Sequence, residues 1–134
     1  MYYLSRMYRI QLAIVATLFF LCTACRPLNP KTETELYFGL SIPGGGVVAD
    51  SSWLRFEQEE IVRVFPKGYT VIPANGVWKG PGGRVSENSR VVVALNEMTA
   101  PLSARIDSLR ERYKADFRQE SVMRVDKAVE RWDF

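Results

Sequence analysis

Two ionisable side chains, Glu35 and Tyr37, stand two positions apart in the alternating segment Glu35 to Ser41. Side chains two apart in a strand share one face, so a carboxylate and a phenol would lie side by side and could act as base and acid. The chain contains no histidine, which excludes a serine or cysteine nucleophile served by a histidine base and removes the commonest transition-metal ligand. We therefore expect a noncatalytic protein without metal or cofactor, and catalysis through this pair is the alternative.

A second group of polar and aromatic residues surrounds a predicted hairpin: Trp78, Arg84, Glu87 and Arg90. An aromatic ring beside mixed charges can form the rim of a ligand pocket. The same residue types also form cross-strand clusters on a half-solvated sheet. We keep both interpretations open and treat these residues as part of a candidate ligand or partner surface.

The glycine run Gly44 to Gly46 precedes a predicted helix, and helix N-termini favour anions such as phosphate. The run lacks the glycine-lysine-serine/threonine ending of a P-loop, and Asp50 would repel an anion. The pattern therefore favours a plain flexible turn.

The first 24 residues are typical of a signal peptide. Arg6 and Arg9 precede the apolar run Ile10 to Leu21, which is shorter than the roughly 20 apolar residues that a membrane-spanning helix needs. The tetrapeptide that ends in Cys25 (Cys-Thr-Ala-Cys) resembles the lipobox of bacterial lipoproteins, although Cys22 occupies the usual leucine position. We predict cleavage before Cys25 and lipidation of its thiol; an ordinary signal peptide cut near Ala24 is the alternative.

Residues 25–34 are predicted to be the lipidated cysteine and a polar tether, and residues 35–134 a single domain. The resemblance to lipoproteins implies acyl chains, palmitate among them, on Cys25. Arg26 rather than aspartate follows the cysteine, which implies the outer membrane, with the domain facing the periplasm. Two of the 18 basic residues lie in the leader and all 15 acidic residues follow it, so the near-neutral domain gives no reason to expect nucleic acid as a partner.

Hydrophobic periodicity and turn residues predict six elements in the domain. They are a strand at Glu35 to Ser41, a helix from Asp50 or Ser51 to about Phe65, a bent or bulged strand at Tyr69 to Lys79, a strand including Arg90 to Leu95, a helix with the stripe Leu102, Ile106, Leu109, Tyr113 and Phe117, and a strand at Ser121 to Val129. The turn residues Pro81 and Gly82 predict a hairpin between the second and third strands.

This order predicts an α+β domain with a ferredoxin-like split βαβ fold, in which both helices cover one face of an antiparallel sheet. The other face would be open. We expect it to carry Tyr37, Gly39, Val92 and Ala94, an apolar surface that a second subunit or a ligand would cover. Val92 and Tyr37 therefore join the candidate surface, and a homodimer through the open face is one expected partner arrangement.

Several segments resemble the bacterial family named domain of unknown function 3574. They are TELYFGLS at Thr34 to Ser41, the Trp53 to Phe65 helix with the following FPKGYTV, and the segments GVWKGPGG, SENSRVVV and QESVMRV. The family consists largely of envelope lipoproteins, so the resemblance implies the same location and implies no activity or catalytic residue.

Two functions follow from these patterns. The first is a lipid-anchored, noncatalytic envelope module that binds a small ligand or a protein partner through the open sheet face. The alternative is a cofactor-independent enzyme of the dimeric α/β-barrel type, whose members enclose an apolar cavity between sheet faces. That alternative needs a sequestered carboxylate or tyrosine with a displaced pKa.

Overall fold

The computed structural model of the protein describes residues 29–80 and 82–132. The predicted signal peptide, Cys25 and Pro81 lie outside the described residues. The described elements are β1 (Lys31–Gly39), helix α1 at residues 50–64, β2 (Thr70–Gly80), β3 (Gly83–Glu97), α2 (Ala100–Phe117) and β4 (Met123–Ala128). The four strands form one antiparallel sheet in the order β2-β3-β1-β4, which confirms the predicted ferredoxin-like α+β fold.

Strand β1 begins at Lys31, four residues earlier than predicted. Thr32 and Thr34 continue the buried side of the strand, and the Thr34 hydroxyl donates to Asp126 Oδ1 at 2.8 Å. A threonine with a hydrogen-bond partner can be buried although it counts as polar in a sequence pattern. Residues 31–34 therefore belong to the sheet and not to the predicted tether.

The hairpin of β2 and β3 is longer and more regular than predicted. Its register runs without interruption from Thr70 opposite Val93 to Gly80 opposite Gly83, so the expected bend or bulge is absent from this ladder. Pro73 lacks an amide hydrogen but is tolerated because β2 is an edge strand. Beyond Ser89, the last β3 residue opposite β1, the hairpin continues as a two-stranded arm.

Helix α1 contains a π-helical turn that matches the spacing of its apolar residues. It consists of the α-helical stretch Asp50–Phe56, the π-helical stretch Glu57–Ile61 and the α-helical stretch Val62–Val64. Phe56 and Ile61 are both buried but stand five positions apart, a spacing that would place them about 140° apart around an α-helix. The wider π turn brings both side chains to the core side.

Helix α2 begins and ends at residues whose chemistry suits those positions. The Thr99 hydroxyl accepts a hydrogen bond from the Leu102 amide at 3.2 Å, Pro101 lies in the first turn, and Arg118 ends the helix with a positive φ of 53°. The predicted stripe faces the sheet, since Leu102, Ile106, Leu109 and Tyr113 are buried.

The core centres on an aromatic cluster that joins both helices to β1. Tyr113 is fully buried, and its ring contacts those of Phe38 at 4.7 Å, Phe56 at 5.0 Å and Phe117 at 4.7 Å between centroids. The contacts with Phe38 and Phe56 are edge-to-face, and packing of this kind stabilises beyond simple burial. The Tyr113 hydroxyl donates to the Gly39 carbonyl oxygen at 2.8 Å, so the cluster holds the end of β1 against α2.

We predict that Tyr113→Phe lowers the free energy of unfolding by about 1–3 kcal/mol, because a buried carbonyl loses its donor while the ring packing is kept. Chemical denaturation measures the change. The control is Ser108→Ala, which removes an exposed hydroxyl bonded to the Ala104 carbonyl of its own helix and should cost at most about 0.5 kcal/mol. Equal stability of Tyr113→Phe and the parent would contradict the role given to this hydrogen bond.

Candidate functional site on the open sheet face

The face of the sheet that lies away from both helices is the candidate site, and we call it the open face. The strand registers arrange its side chains in rows across the four strands. One row is Ile72, Val91, Tyr37 and Met123, the next is Thr70, Val93, Glu35 and Val125, and the third includes Leu95, Glu33 and Lys127. The open face is therefore apolar with a polar centre on β1 and β4.

Val92 and Ala94 do not belong to the open face, and the expectation that placed them there is wrong. Val92 lies opposite Leu36 and is 0% exposed, and Ala94 lies opposite Thr34 and is 1% exposed, both beneath the helices. The run of Val91 to Leu95 is apolar on both sides, so alternation could not show which residues face which way. The register with β1 decides which side chains face which way. It places Val91 and Val93, and not Val92, on the open face.

Four side chains at the centre of the open face form a hydrogen-bonded group: Glu33, Glu35, Tyr37 and Lys127. We call it the Glu35 cluster. The Tyr37 hydroxyl donates to Glu35 Oε2 at 2.6 Å, and Lys127 Nζ donates to Glu35 Oε1 and, at 3.4 Å, to Glu33 Oε1. Sequence reasoning found Glu35 and Tyr37 but missed Lys127, because only the pairing of β1 with β4 brings residues so far apart together.

The charges of the Glu35 cluster stabilise one another. The hydrogen bond from Lys127, followed by that from Tyr37, lowers the pKa of the Glu35 carboxyl. The bond to Glu35 raises the pKa of the Tyr37 phenol, and the same carboxylate raises the pKa of the Lys127 ammonium. At neutral pH Glu35 is therefore an anion, Lys127 a cation and Tyr37 a neutral phenol. A carboxylate with a lowered pKa is a weak base, so this arrangement suits binding better than proton transfer.

The structure does not gather the residues around the hairpin into one pocket. Trp78 is exposed on the two-stranded arm, opposite Val85 and on the same side as the open face. Arg84 lies opposite Lys79 in the strand register, on the other side of the arm. Two of the predicted surface residues thus point in opposite directions.

Glu87 and Arg90 lie closer to the body of the sheet but also on opposite sides of it. The Glu87 carboxylate covers Gly39, where a Cβ atom would lie 2.8 Å from its Oε2, so a larger residue at that position of β1 would require the end of the Glu87 side chain to move. Arg90 points to the helix side and pairs with Asp50 at 3.1 Å. This pair lies beside a cavity of about 390 Å³ that Val48 also lines.

The predicted glycine turn before α1 is confirmed as a turn. Gly44, Gly45 and Gly46 all have positive φ angles, of 88°, 111° and 101°, a conformation that glycine adopts without strain. Within residues 29–80 and 82–132 no three acidic, histidine or cysteine side chains converge in a way that could hold a metal ion.

No helix in the described part of the chain has the length and hydrophobicity needed to cross a membrane.

The fold and the site define an α+β protein with one sheet face covered by two helices and one face open. The sequence of residues 33–134 matches the family described as protein of unknown function (DUF3574). The chain belongs to that family, which confirms the resemblance seen in its sequence segments. No curated protein matches the sequence.

Two solved structures have the same fold. A phage SAM lyase in complex with S-methyl-5'-thioadenosine is similar with a TM-score of 0.61 and 15% identity, over 75% of this chain and 82% of that chain. A phage SAM lyase in the apo state is similar with a TM-score of 0.55 and 16% identity, over 81% and 97% of the two chains. Identities this low show a shared fold and nothing about activity.

We predict that the Glu35 carboxyl titrates below its ordinary value of 4.5 and that Lys127→Ala raises its pKa. Because the folded-state pKa is the lower one, the ion pair stabilises the fold above the ordinary value and this contribution is lost as the pH falls through the lowered pKa. A carboxyl-detected NMR titration measures both values. Lys79→Ala, which removes a distant exposed ammonium, is the control, and an unchanged Glu35 pKa in Lys127→Ala would show that the pair does not form.

Proposed function

We propose that this protein is a noncatalytic binding module of the bacterial cell envelope, anchored by lipid on Cys25, that binds its partner through the open face of its sheet. The observation that carries the proposal is the apolar surface around the Glu35 cluster, over which none of the described elements packs. Ile72 and Met123, at the two edges of the row that also contains Val91 and Tyr37, are 46% and 53% exposed, whereas Val91 is 7% exposed. Exposed apolar side chains grouped on one face of a domain mark interaction sites.

The partner that this surface fits best is a second copy of the chain. An isologous interface places the same patch on both sides and therefore requires a self-complementary surface. The open face meets this requirement because the carboxylates of Glu33 and Glu35 and the ammonium group of Lys127 lie together among its apolar side chains. Lys127 is bonded closely to Glu35 and only at 3.4 Å to Glu33. A Lys127 side chain from the facing copy would complete the coordination of Glu33.

The proposed anchor favours this association. Five peptide steps separate Cys25 from Pro30, where the described chain enters the sheet, so the tether spans at most about 17 Å. Two copies held this close to one membrane surface have a high effective concentration. We place them on the outer membrane, facing the periplasm, because Arg26 rather than aspartate follows the cysteine.

A cofactor-independent enzyme is the second candidate, and the fold shared with phage SAM lyases favours it. In that case, the cavity enclosed between two open faces would bind a substrate against Tyr37 and Glu35. The lowered pKa of Glu35 weighs against this candidate, since it makes the carboxylate a weak base. Incubation of the full chain with SAM, followed by chromatography for S-methyl-5'-thioadenosine, separates the two candidates. If the parent converts SAM and Glu35→Gln does not, the protein is an enzyme and the proposal of a noncatalytic binding module is wrong.

We predict that the full chain sediments as a dimer in a non-ionic detergent and that the double variant Ile72→Glu/Met123→Glu sediments as a monomer, because four carboxylates would be buried without partners. The matched control is Leu54→Glu/Val62→Glu on helix α1. Its residues are 50% and 46% exposed, so it adds the same charge to equally exposed positions away from the open face. A monomeric parent, or an open-face variant that still dimerises, would refute self-association.

We predict that the chain purified from bacterial membranes begins at Cys25 and carries acyl chains on it. Intact-protein mass spectrometry measures the added mass, and Cys25→Ser should remain unprocessed and free of lipid. Cys22→Ser is the control and should be processed as the parent is. A mature chain that starts after Cys25, or that starts at an unmodified Cys25, would disprove the anchor and leave the dimer proposal to be judged by sedimentation.

A further inference from the structure

A second concave site lies at the end of the sheet where β3 leads into α2. Its cavity of about 370 Å³ is lined by apolar side chains from three parts of the chain: Phe65 after α1, Leu102 in the first turn of α2 and Trp132 near the C-terminus. We call it the Trp132 cleft. Its volume falls within the range of about 300–1,000 Å³ that is usual for small-molecule sites.

Two cations border the Trp132 cleft, and neither has a charged partner among residues 29–80 and 82–132. Lys67 and Arg105 line it, and within the described part of the chain neither forms a salt bridge. Among the described residues, the carboxylate of Glu97 also lines the cleft, so the described lining carries a net positive charge. The cleft therefore combines an apolar wall with an electrostatic preference for an anion.

One residue that lines the cleft carries an unpaired hydrogen-bond acceptor. Asn96 lines it, and Asn96 Oδ1 is buried without a partner among the described residues. The amide cannot simply be turned over. Its Nδ2 group donates to Thr34 Oγ1 at 3.1 Å and to the Ala94 carbonyl at 3.2 Å, while the Thr34 hydroxyl already donates to Asp126. A buried acceptor left unpaired costs about 1–3 kcal/mol. A ligand hydroxyl would relieve this cost once the side chains that cover the oxygen move aside, because Asn96 Oδ1 is closed to solvent in the ligand-free structure.

We propose that the Trp132 cleft binds an anionic amphiphile with a single hydrocarbon chain. The chain packs against Phe65, Leu102 and Trp132, and a phosphate or carboxylate group is held by Lys67 and Arg105. A hydroxyl near the head group donates to Asn96 Oδ1. A lysophospholipid with a glycerol head group supplies all three features, whereas a free fatty acid supplies only the chain and the anion.

The position of the cleft suits a ligand drawn from a membrane. The Met98 amide donates to the Pro30 carbonyl at 2.9 Å, so the β3–α2 connection that borders the cleft lies beside the point where the chain enters the domain. If the lipid anchor exists, the cleft lies near the membrane surface. Binding itself does not depend on the anchor or on dimerisation through the open face.

The test is native mass spectrometry of the full chain in a neutral detergent, titrated separately with palmitoyl-lysophosphatidylglycerol, palmitoyl-lysophosphatidylcholine and palmitate. We expect a one-to-one adduct with palmitoyl-lysophosphatidylglycerol (the glycerol ester). It should bind about tenfold more tightly than palmitoyl-lysophosphatidylcholine (the choline ester), because the choline cation offsets the phosphate charge. Palmitate distinguishes the source of the anion: if it binds as tightly as the glycerol ester, the ligand class is a fatty acid and the hydroxyl contact to Asn96 contributes nothing.

The variants assign the adduct to the cleft. Lys67→Ala/Arg105→Ala should weaken the glycerol ester by about tenfold, and Trp132→Ala should weaken both esters alike. The matched control is Lys79→Ala/Arg84→Ala, which removes one exposed lysine and one exposed arginine from the hairpin arm and should change binding by less than about twofold. Circular dichroism melting checks that each variant is folded. Absence of the adduct, equal affinity for the two esters, or equal loss in the two cation variants would overturn the proposal.

Discussion

The buried phenol of Tyr113 is the point on which the rest of the structure depends. Its ring packs edge-on against Phe38 of β1 and Phe56 of α1, so one side chain of α2 contacts the central strand and the other helix. Its hydroxyl satisfies the Gly39 carbonyl, and burial raises the pKa of the phenol, which therefore stays a donor at any physiological pH. With both helices held on one face, the other face of the sheet remains open.

The open face depends on contacts made on the helix side. Arg124 of β4 pairs with Asp126 at 2.8 Å and with Asp107 of α2 at 3.1 Å, which fixes the edge strand to the helix. Because side chains alternate along a strand, fixing Arg124 beneath the helices turns Met123 and Lys127 to the opposite face. The ion pair of Lys127 with Glu35 thus follows from packing on the other side of the sheet.

Most of the fold could be predicted from the chain alone, because local patterns carry it. The stripe from Leu102 to Tyr113 predicted α2 and its buried side, and the proline and glycine residues marked the turns. The predictions failed where local patterns are ambiguous. Thr32 and Thr34 look polar but are paired in the sheet, and the Val91 to Leu95 run is apolar on both sides, so Val92 was placed on the wrong face.

The sequence by itself determined the type and order of the elements, and with them the family and the split βαβ topology, because hydrophobic period and turn chemistry act over a few residues. Only the tertiary structure decided which side chains meet. The contacts of Lys127 with Glu35 and of Trp132 with the cleft at Leu102 join residues that are distant in the chain. Such contacts depend on strand register and helix docking, which are set by the packing of the whole core and leave no local signal.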